Sequence, residues 1–163
     1  MQQTVREPKS EPAPTKIEGS TRDGVKLRIL VVDDNLVNQR LISRLLEKMG
    51  HQVLVASDGM AVLRILGERE VNFIAMDMQM PVLDGVETTR KIRAMEKGAG
   101  GHVPIVAMTA NAFEEGRRKC FEAGMDGFVV KPVSAQSIRD EMERVLALQV
   151  VTAEKDAAVR RNP

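Results

Sequence analysis

Two patterns of hydrophobic and polar positions alternate between residue 27 and about residue 148. Short runs that are apolar throughout occur near residues 28–33, 52–56, 72–77, 103–108 and 127–130. Each run is followed by a stretch with apolar residues at helical spacing, near residues 36–49, 59–67, 84–97, 112–123 and 135–148. The first pattern predicts strands buried on both faces, and the second predicts amphipathic helices.

The order of these elements predicts an α/β fold. Five βα units with fully apolar strands form a doubly wound, five-stranded parallel sheet between two layers of helices, which is a three-layer α/β/α domain. Asp58, Asp84 and Ser134 stand where the second, third and fifth helices are expected to begin. Gly50 stands where the first helix is expected to end.

The first predicted helix has a clear periodicity. Its apolar residues form adjacent rows that we expect to pack inward: Val37, Leu41, Leu45, Ile42, Leu46 and Met49. Its polar residues are expected to face solvent: Gln39, Arg40, Arg44, Glu47 and Lys48.

The two ends of the chain differ from its middle. Residues 1–26 hold three of the seven prolines and have no apolar periodicity, so they are predicted to be a flexible linker. Residues 149–163 are polar and compatible with a helix, and they are predicted to be a C-terminal tail. The folded domain is therefore expected to span residues 27–148.

Composition excludes several classes of function. The net charge of +1 comes from 24 basic and 23 acidic residues that are well mixed, which argues against nucleic acid or membrane contact by this segment. Only 2% of the residues are aromatic, so a base-stacking surface is not expected. The single cysteine and the absence of a long apolar stretch predict a cytoplasmic protein, or the cytoplasmic part of a membrane sensor kinase.

Four of the apolar runs stop at polar residues that can handle a phosphate. Asp33 and Asp34 end the first run, Asp77 the third, Thr109 the fourth and Lys131 the fifth. Open α/β sheets bind ligands outside the carboxyl ends of their strands. If the strands are parallel neighbours, these side chains form one site.

The chemistry of these residues indicates phosphoryl transfer. Three carboxylates at close range repel one another unless a cation neutralises them, and Mg²⁺ or Mn²⁺ suits oxygen ligands. Lys131 adds a positive charge and Thr109 a hydroxyl. A carboxylate that attacks phosphorus in this setting would form an acyl phosphate. Each residue alone also fits a helix cap or a loop, so the combination carries the prediction.

Four segments resemble the receiver domains of two-component response regulators. They are LVVDDN (30–35), MDMQMPVLDG (76–85), PIVAMTANA (104–112) and FVVKP (128–132). The resemblance spans about residues 27–148 and implies a flavodoxin-like (βα)5 fold with strand order 2-1-3-4-5.

The resemblance also implies roles for the acidic residues. Asp77 matches the phosphoacceptor of the family. Asp34, Asp77 and the backbone carbonyl of Gln79 match the Mg²⁺ ligands, and Asp33 is expected to act through a metal-bound water.

The remaining matches concern signalling and turnover. Thr109 matches the switch hydroxyl, Lys131 the phosphate-binding lysine and Phe128 the rotating aromatic residue. The bond between Lys131 and Pro132 is expected to be cis. The side chains of Gln79 and Asn111 are expected to position the water that hydrolyses the phosphate.

The residues within these motifs are most similar to those of receivers in hybrid histidine kinases. A histidine kinase or histidine phosphotransfer domain is therefore the expected phosphoryl donor, docking near the first helix. A homodimer through the face of the fourth helix, fifth strand and fifth helix is a further expectation. The alternative is a stand-alone, single-domain response regulator.

Other classes of function fit less well. Aspartyl-nucleophile phosphatases resembling the haloacid dehalogenase family need a second Asp two residues after the nucleophile, where this chain has Gln79. A dinucleotide-binding enzyme needs a G-x-G-x-x-G motif after the first strand, which is missing. Whether the label "enzyme" applies stays open, because a receiver shares its chemistry with its donor. His51, His102 and the basic run 117–119 are expected to be solvent-facing.

Overall fold

A computed structural model describes residues 25–161. Nearly all of the predicted linker, residues 1–24, lies outside the described residues. The strands are β1 (Arg28–Val32), β2 (Gln52–Ala56), β3 (Phe73–Asp77), β4 (Ile105–Thr109) and β5 (Gly127–Val130). The helices are α1 (Leu36–Lys48), α2 (Gly59–Glu68), α3 (Gly85–Ala99), α4 (Glu114–Ala123) and α5 (Ala135–Arg161).

The five strands form one parallel sheet in the order β2-β1-β3-β4-β5, which confirms the predicted fold. In the register, Val32 pairs with Met76, and Asp77 pairs with Met108. The carboxyl ends of β1, β3 and β4 therefore lie side by side. The chain leaves β1 toward β2 and returns to β3 on the other side, so a crevice opens between these strands.

The strands pack into two separate cores because successive side chains point to opposite faces of the sheet. On one face, Ile29, Val31 and Phe73 pack with residues of α1 and α5. On the other face, Leu30 and Ile74 pack with residues of α2, α3 and α4. Both faces are thus covered by helices, as the fully apolar strands predict.

The predicted helix ends are confirmed. The side chains of Asp58, Asp84 and Ser134 each accept a hydrogen bond from the backbone N–H three residues later, at 2.8, 2.9 and 3.0 Å. These bonds satisfy N–H groups that the first helical turn leaves free. Gly50 follows α1 with a φ of 95°, a left-handed conformation that glycine adopts at little cost.

The predicted orientation of α1 is wrong at three positions. Ile42 and Leu46 face the core, but Val37 and Leu41 are exposed. Gln39, expected in solvent, is buried, because the inward face of the helix is centred on positions 39, 42 and 46. Its amide nitrogen donates to the carbonyl of Asp33 and to Oγ of Ser57, so the buried polar group is satisfied.

The last helix is longer than its periodicity predicts. α5 continues 13 residues beyond the expected end at residue 148, to Arg161. The extension holds three Ala and two Arg, residues of high intrinsic helix propensity. Gln149 bonds to the carbonyl of His102 at 3.2 Å. No helix within residues 25–161 combines the length and the apolar character that a membrane crossing requires.

Candidate functional site

Three carboxylates meet at the carboxyl edge of the sheet. Asp33, Asp34 and Asp77 each offer an oxygen, and these oxygens all lie within 4.8 Å of one another. Asp33 and Asp77 are buried, with 0% and 2% of their surface exposed, whereas Asp34 is exposed. The cluster therefore has two carboxylates within the domain and one at its mouth.

Short-range bonds hold the two buried aspartates in place. Oδ1 of Asp33 accepts from the backbone N–H of Asn35 at 2.9 Å. Oδ1 of Asp77 accepts from the backbone N–H of Gln79 at 3.1 Å. Gly85, the first residue of α3, packs so closely on the backbone carbonyl of Asp77 that a Cβ there would overlap it. The start of α3 thus lies directly against the residue that carries the central carboxylate.

Lys131 reaches into the cluster from the end of β5. Its Nζ lies 2.9 Å from Oδ1 of Asp77 and 3.6 Å from Oδ2 of Asp33. The bond between Lys131 and Pro132 is cis, as the sequence resemblance implies. One ammonium thus faces two buried carboxylates.

The charges of the site do not balance. Lys131 supplies one positive charge against three carboxylates, and Oδ2 of Asp33 is buried without a hydrogen-bond partner. The ammonium of Lys131 lies 3.6 Å from this oxygen, and a buried carboxylate oxygen without a hydrogen bond is costly, so binding of a further cation is favoured. Three carboxylates within 4.8 Å suit a hard divalent ion such as Mg²⁺. The donor set therefore fits the ion that the sequence predicts.

The environment shifts the pKa values of both partners. Burial raises the pKa of Asp77, and the charge of Asp33 adds to this effect, while the bonds from Lys131 and the N–H of Gln79 oppose it. Burial alone would lower the pKa of Lys131. The hydrogen bond and charge of Asp77, with those of Asp33, outweigh burial and raise it. The pair thus holds a firmly charged ammonium beside a carboxylate that ionises reluctantly.

Thr109 lies at the same edge, at the end of β4. Its hydroxyl bonds only locally, accepting from the N–H of Asn111 at 3.0 Å and donating to the carbonyl of Asn111 at 3.2 Å. Its own carbonyl accepts from the N–H of Lys131 at 2.8 Å. Because Met108 pairs with Asp77 in the sheet, Thr109 is one residue beyond the position opposite that carboxylate.

Phe128 lies in β5, three residues before Lys131, and its side chain is on the face of the sheet that α4 covers. Its ring is 6.5 Å from the ring of Phe121, in an edge-to-face arrangement. The guanidinium of Arg117 stands 4.6 Å from the centroid of Phe128, a cation–π contact. Arg117, Arg118 and Lys119 are all exposed, as predicted for this run. Arg118 and Lys119 pair with glutamates on their own helix, whereas Arg117 contacts the ring of Phe128.

The two histidines lie at the opposite edge of the sheet. His102 is half-exposed, and its Nε2 is 2.7 Å from Oδ1 of Asp126. Arg93 joins this group by bonding to Glu96 and Asp126. His51 is half-buried, and burial lowers its pKa. Sequence reasoning missed the network, because no local pattern signals a bond between residues 33 positions apart.

The sequence matches the family described as "Response regulator receiver domain" over residues 29–143. It is 33% identical over 151 residues to the hybrid signal transduction histidine kinase I of Dictyostelium discoideum, covering 90% of this chain and 9% of that protein. The chain spans between 8% and 17% of the length of the curated relatives it matches.

Two solved structures are similar in fold and sequence. The receiver domain of the sensor histidine kinase PA1611 from Pseudomonas aeruginosa, with a magnesium ion in its active site cleft, is 37% identical. It covers 76% of this chain and 99% of its own, with a TM-score of 0.67. The receiver domain of the Saccharomyces cerevisiae response regulator Ssk1, crystallised with the histidine phosphotransfer protein Ypd1, is also similar. The match to that co-crystal structure has 31% identity, covers 70% of this chain and 84% of the other, and has a TM-score of 0.64.

The fold, the acidic cluster and the sequence match over residues 29–143 all point to the same family. The chain belongs to the response regulator receiver domain family.

Proposed function

We propose that this receiver domain accepts a phosphoryl group from a phosphohistidine onto the carboxylate of Asp77. The observation that carries the proposal is the placement of the Lys131 ammonium, 2.9 Å from a buried carboxylate oxygen of Asp77 within a cluster of three aspartates. The cluster has one fixed cation, Lys131, for three carboxylates. That combination is suited to receiving a phosphoryl group, whose oxygens bring further negative charge.

The transfer balances as a displacement at phosphorus. A carboxylate oxygen of Asp77 attacks the phosphorus atom, and the bond between phosphorus and the imidazole nitrogen breaks with its electron pair staying on that nitrogen. The donor's other ring nitrogen carries a proton, so neutral imidazole leaves. An acyl phosphate forms on Asp77. Lys131 neutralises part of the charge on the phosphoryl oxygens, and its raised pKa favours the protonated ammonium before transfer.

Asp33, Asp34, Asp77 and the backbone carbonyl of Gln79 are the residues proposed to hold Mg²⁺ or Mn²⁺, with Asp33 acting through a water. The bound ion supplies positive charge to the transferring phosphoryl group. Oδ2 of Asp33, which is buried and has no hydrogen bond, supports this assignment. The magnesium ion in the cleft of the PA1611 receiver supports it as well.

The proposed switch uses Thr109 and Phe128. The hydroxyl of Thr109 is held only by the backbone of Asn111, so a phosphoryl oxygen can replace those bonds. Phe128 then turns inward and leaves Arg117. The phosphate makes contacts in this inward conformation that it does not make in the outward one, and these contacts shift the equilibrium toward the inward conformation. Gln79 and Asn111 are proposed to position the hydrolytic water.

The donor is proposed to be a histidine kinase or a histidine phosphotransfer domain that docks near α1. Leu36, Val37 and Leu41 are exposed there, directly after the acidic loop. The similarity to a receiver crystallised with Ypd1 supports this class of partner.

A homodimer through the face of α4, β5 and α5 is also proposed. The exposed apolar side chains of Phe121 and Val130 on this face support it.

Residues 27–148 are proposed to be the receiver segment of a hybrid histidine kinase, with 149–163 as its tail. Similarity to hybrid kinases over most of this chain supports that origin. A cytoplasmic location is part of the same proposal, because the only cysteine is buried and free. The alternative, a stand-alone regulator, is decided by sequencing the transcript on both sides of this segment.

Intact-mass analysis after incubation with acetyl phosphate tests the central proposal. The chain should gain one phosphoryl group in Mg²⁺ and gain it far more slowly in a chelator. Asp77→Asn should remove the gain. Asp58→Asn is the matched control, since asparagine caps a helix as well as aspartate and this residue is not one of the clustered carboxylates. Labelling of Asp77→Asn at the wild-type rate would remove Asp77 as the acceptor.

A further inference from the structure

Gln39 is a buried polar residue of α1 that has no part in the proposed phosphoryl transfer. Only 5% of its surface is exposed. Its side-chain nitrogen lies 2.5 Å from the carbonyl oxygen of Asp33, 3.0 Å from Oγ of Ser57 and 3.5 Å from the carbonyl oxygen of Ala56. Carbonyls only accept hydrogen bonds, so the amide nitrogen, not the amide oxygen, faces them. One side chain of α1 thus joins the loop after β1 to the end of β2.

The backbone of Asp33 is held from both sides. Its N–H donates to the carbonyl of Ala56 at 3.2 Å, and its own carbonyl accepts from Gln39. The carbonyl of Asp33 belongs to the peptide group that continues into Asp34, and a peptide group is planar and rigid. The side chain of Gln39 therefore restrains the peptide that links two of the three clustered carboxylates.

The exposed carboxylate of the cluster depends on this restraint more than the buried ones do. Asp33 and Asp77 are buried, and an oxygen of each accepts from a backbone N–H. Asp34 is exposed, so packing does not fix its side chain. It nevertheless offers an oxygen within 4.8 Å of the oxygens of the other two. The peptide that Gln39 restrains is one constraint that keeps it there.

We propose that Gln39 is a positioning residue for the divalent cation of this site. It holds the peptide between Asp33 and Asp34, and so keeps their carboxylates within reach of one ion. Groups that orient metal ligands in this indirect way typically contribute about ten- to a hundredfold to metal affinity. This inference rests on the proposed function, in which these carboxylates hold Mg²⁺.

Titration calorimetry with Mg²⁺ on variants of the 163-residue chain tests the proposal. Gln39→Met keeps the length of the side chain but removes the donor, and it should raise the Kd for Mg²⁺ about tenfold or more. Ser57→Ala leaves the bond to Asp33 in place and should raise this Kd much less. Asn72→Ala is the matched control, because it removes a side-chain bond to the backbone N–H of Arg28 at the opposite edge of the sheet. It should leave the Kd unchanged.

Labelling by acetyl phosphate separates positioning from folding. For Gln39→Met, the Mg²⁺ concentration that gives half the maximal rate should rise by the same factor as the Kd. The maximal rate at saturating Mg²⁺ should stay at the wild-type value, because the carboxylates are gathered again once they share the ion. Urea unfolding in a chelator identifies the temperature at which each variant is folded, and both measurements are made there.

A second variant guards against misfolding of the first. Gln39→Asn keeps the amide but shortens the side chain by one methylene, which withdraws the nitrogen from the carbonyl of Asp33. It should also raise the Kd for Mg²⁺, and it replaces Gln39→Met in every measurement if that variant does not fold.

Several results would overturn the inference. One is an unchanged Kd for Gln39→Met, and another is a lower maximal rate with an unchanged Mg²⁺ requirement. An equal rise of the Kd in Gln39→Met and Asn72→Ala would do the same, because the effect would then reflect general loosening of the domain. In each of these cases the wild type still binds Mg²⁺, so the proposed function stands. A wild type that binds no Mg²⁺ contradicts the metal site of the proposed function itself.

Discussion

The ammonium of Lys131 lies 2.9 Å from Oδ1 of Asp77, although 54 residues separate them in the chain. The contact exists because β4 lies between β3 and β5, so the last residue of β3 and the first residue after β5 meet across the end of one intervening strand. Two buried carboxylates share this single ammonium. This excess of negative charge at the site is the basis for the predictions about stability, pH dependence and metal binding.

Replacing Lys131 by Met should destabilise the domain in metal-free buffer at pH 7. The change leaves Asp33 and Asp77 without their cation, and a buried charge that loses its partner costs about 1–3 kcal/mol or more. The effect should shrink in acid, where protonation removes the carboxylate charge. Urea unfolding at pH 7 and pH 4 measures both. Lys119→Met, which breaks only an exposed pair, is the control. Equal effects of the two substitutions would contradict the assignment.

Asp77→Asn should raise the free energy of unfolding at neutral pH in the absence of metal. The pKa of Asp77 is raised by burial and by Asp33, so the folded state binds a proton more tightly than the unfolded state does. The stability of the wild type therefore falls as pH rises from the ordinary pKa of 3.8 through the raised value.

The advantage of Asp77→Asn should accordingly appear above that window and vanish as pH falls to 3.8. Paired unfolding curves of the two proteins between pH 4 and pH 8 test this. A variant that is less stable than the wild type throughout that range would show that ionised Asp77 is a net stabilising group.

Mg²⁺ should stabilise the wild type against unfolding. A ligand that binds only the folded state contributes about 2.7 kcal/mol when it is present at a hundred times its Kd. Asp34→Ala removes the exposed carboxylate of the cluster and should lose most of this gain, while Asp58→Asn should keep it. Thermal unfolding with and without Mg²⁺, together with titration calorimetry, gives the measurement. No heat and no change in Tm for the wild type would count against the metal site.

Gly85→Ala and Gly98→Ala should have opposite effects, although both lie in α3. A Cβ at Gly85 overlaps the backbone carbonyl of Asp77, and overpacking of this kind costs about 1–3 kcal/mol. A Cβ at Gly98 meets no atom within 4 Å, so alanine should stabilise the helix by up to about 1 kcal/mol.

The same pair links stability to the site. Gly85→Ala should also slow the labelling of Asp77 by acetyl phosphate. The added Cβ displaces the backbone of Asp77, and this residue carries the acceptor carboxylate. Gly98→Ala should label at the wild-type rate. Normal labelling of a destabilised Gly85→Ala would mean that the contact supports the fold alone.

Some side-chain placements could be predicted from sequence and others could not. The caps at Asp58 and Asp84 depend on residues within one helical turn, and both predictions are confirmed. The helical period places Gln39 on the wrong face, because its bonding partners, Asp33 and Ser57, lie in loops that this period does not describe. The length of α5 is also mispredicted, because residues 150–161 are exposed and the apolar periodicity that indicates a helix does not extend over them.

The sequence by itself determined the elements and the chemistry of the site. Runs that are apolar throughout require a sheet covered on both faces, and parallel strands bring their carboxyl ends to one edge, so the polar residues after them were expected together. Only the tertiary structure decided which of them touch. Strand order and loop paths decide the 2.9 Å bond of Lys131, the lack of a hydrogen bond at Oδ2 of Asp33 and the contact of Arg117 with the ring of Phe128. Local periodicity carries no information about contacts between segments that are distant in the chain.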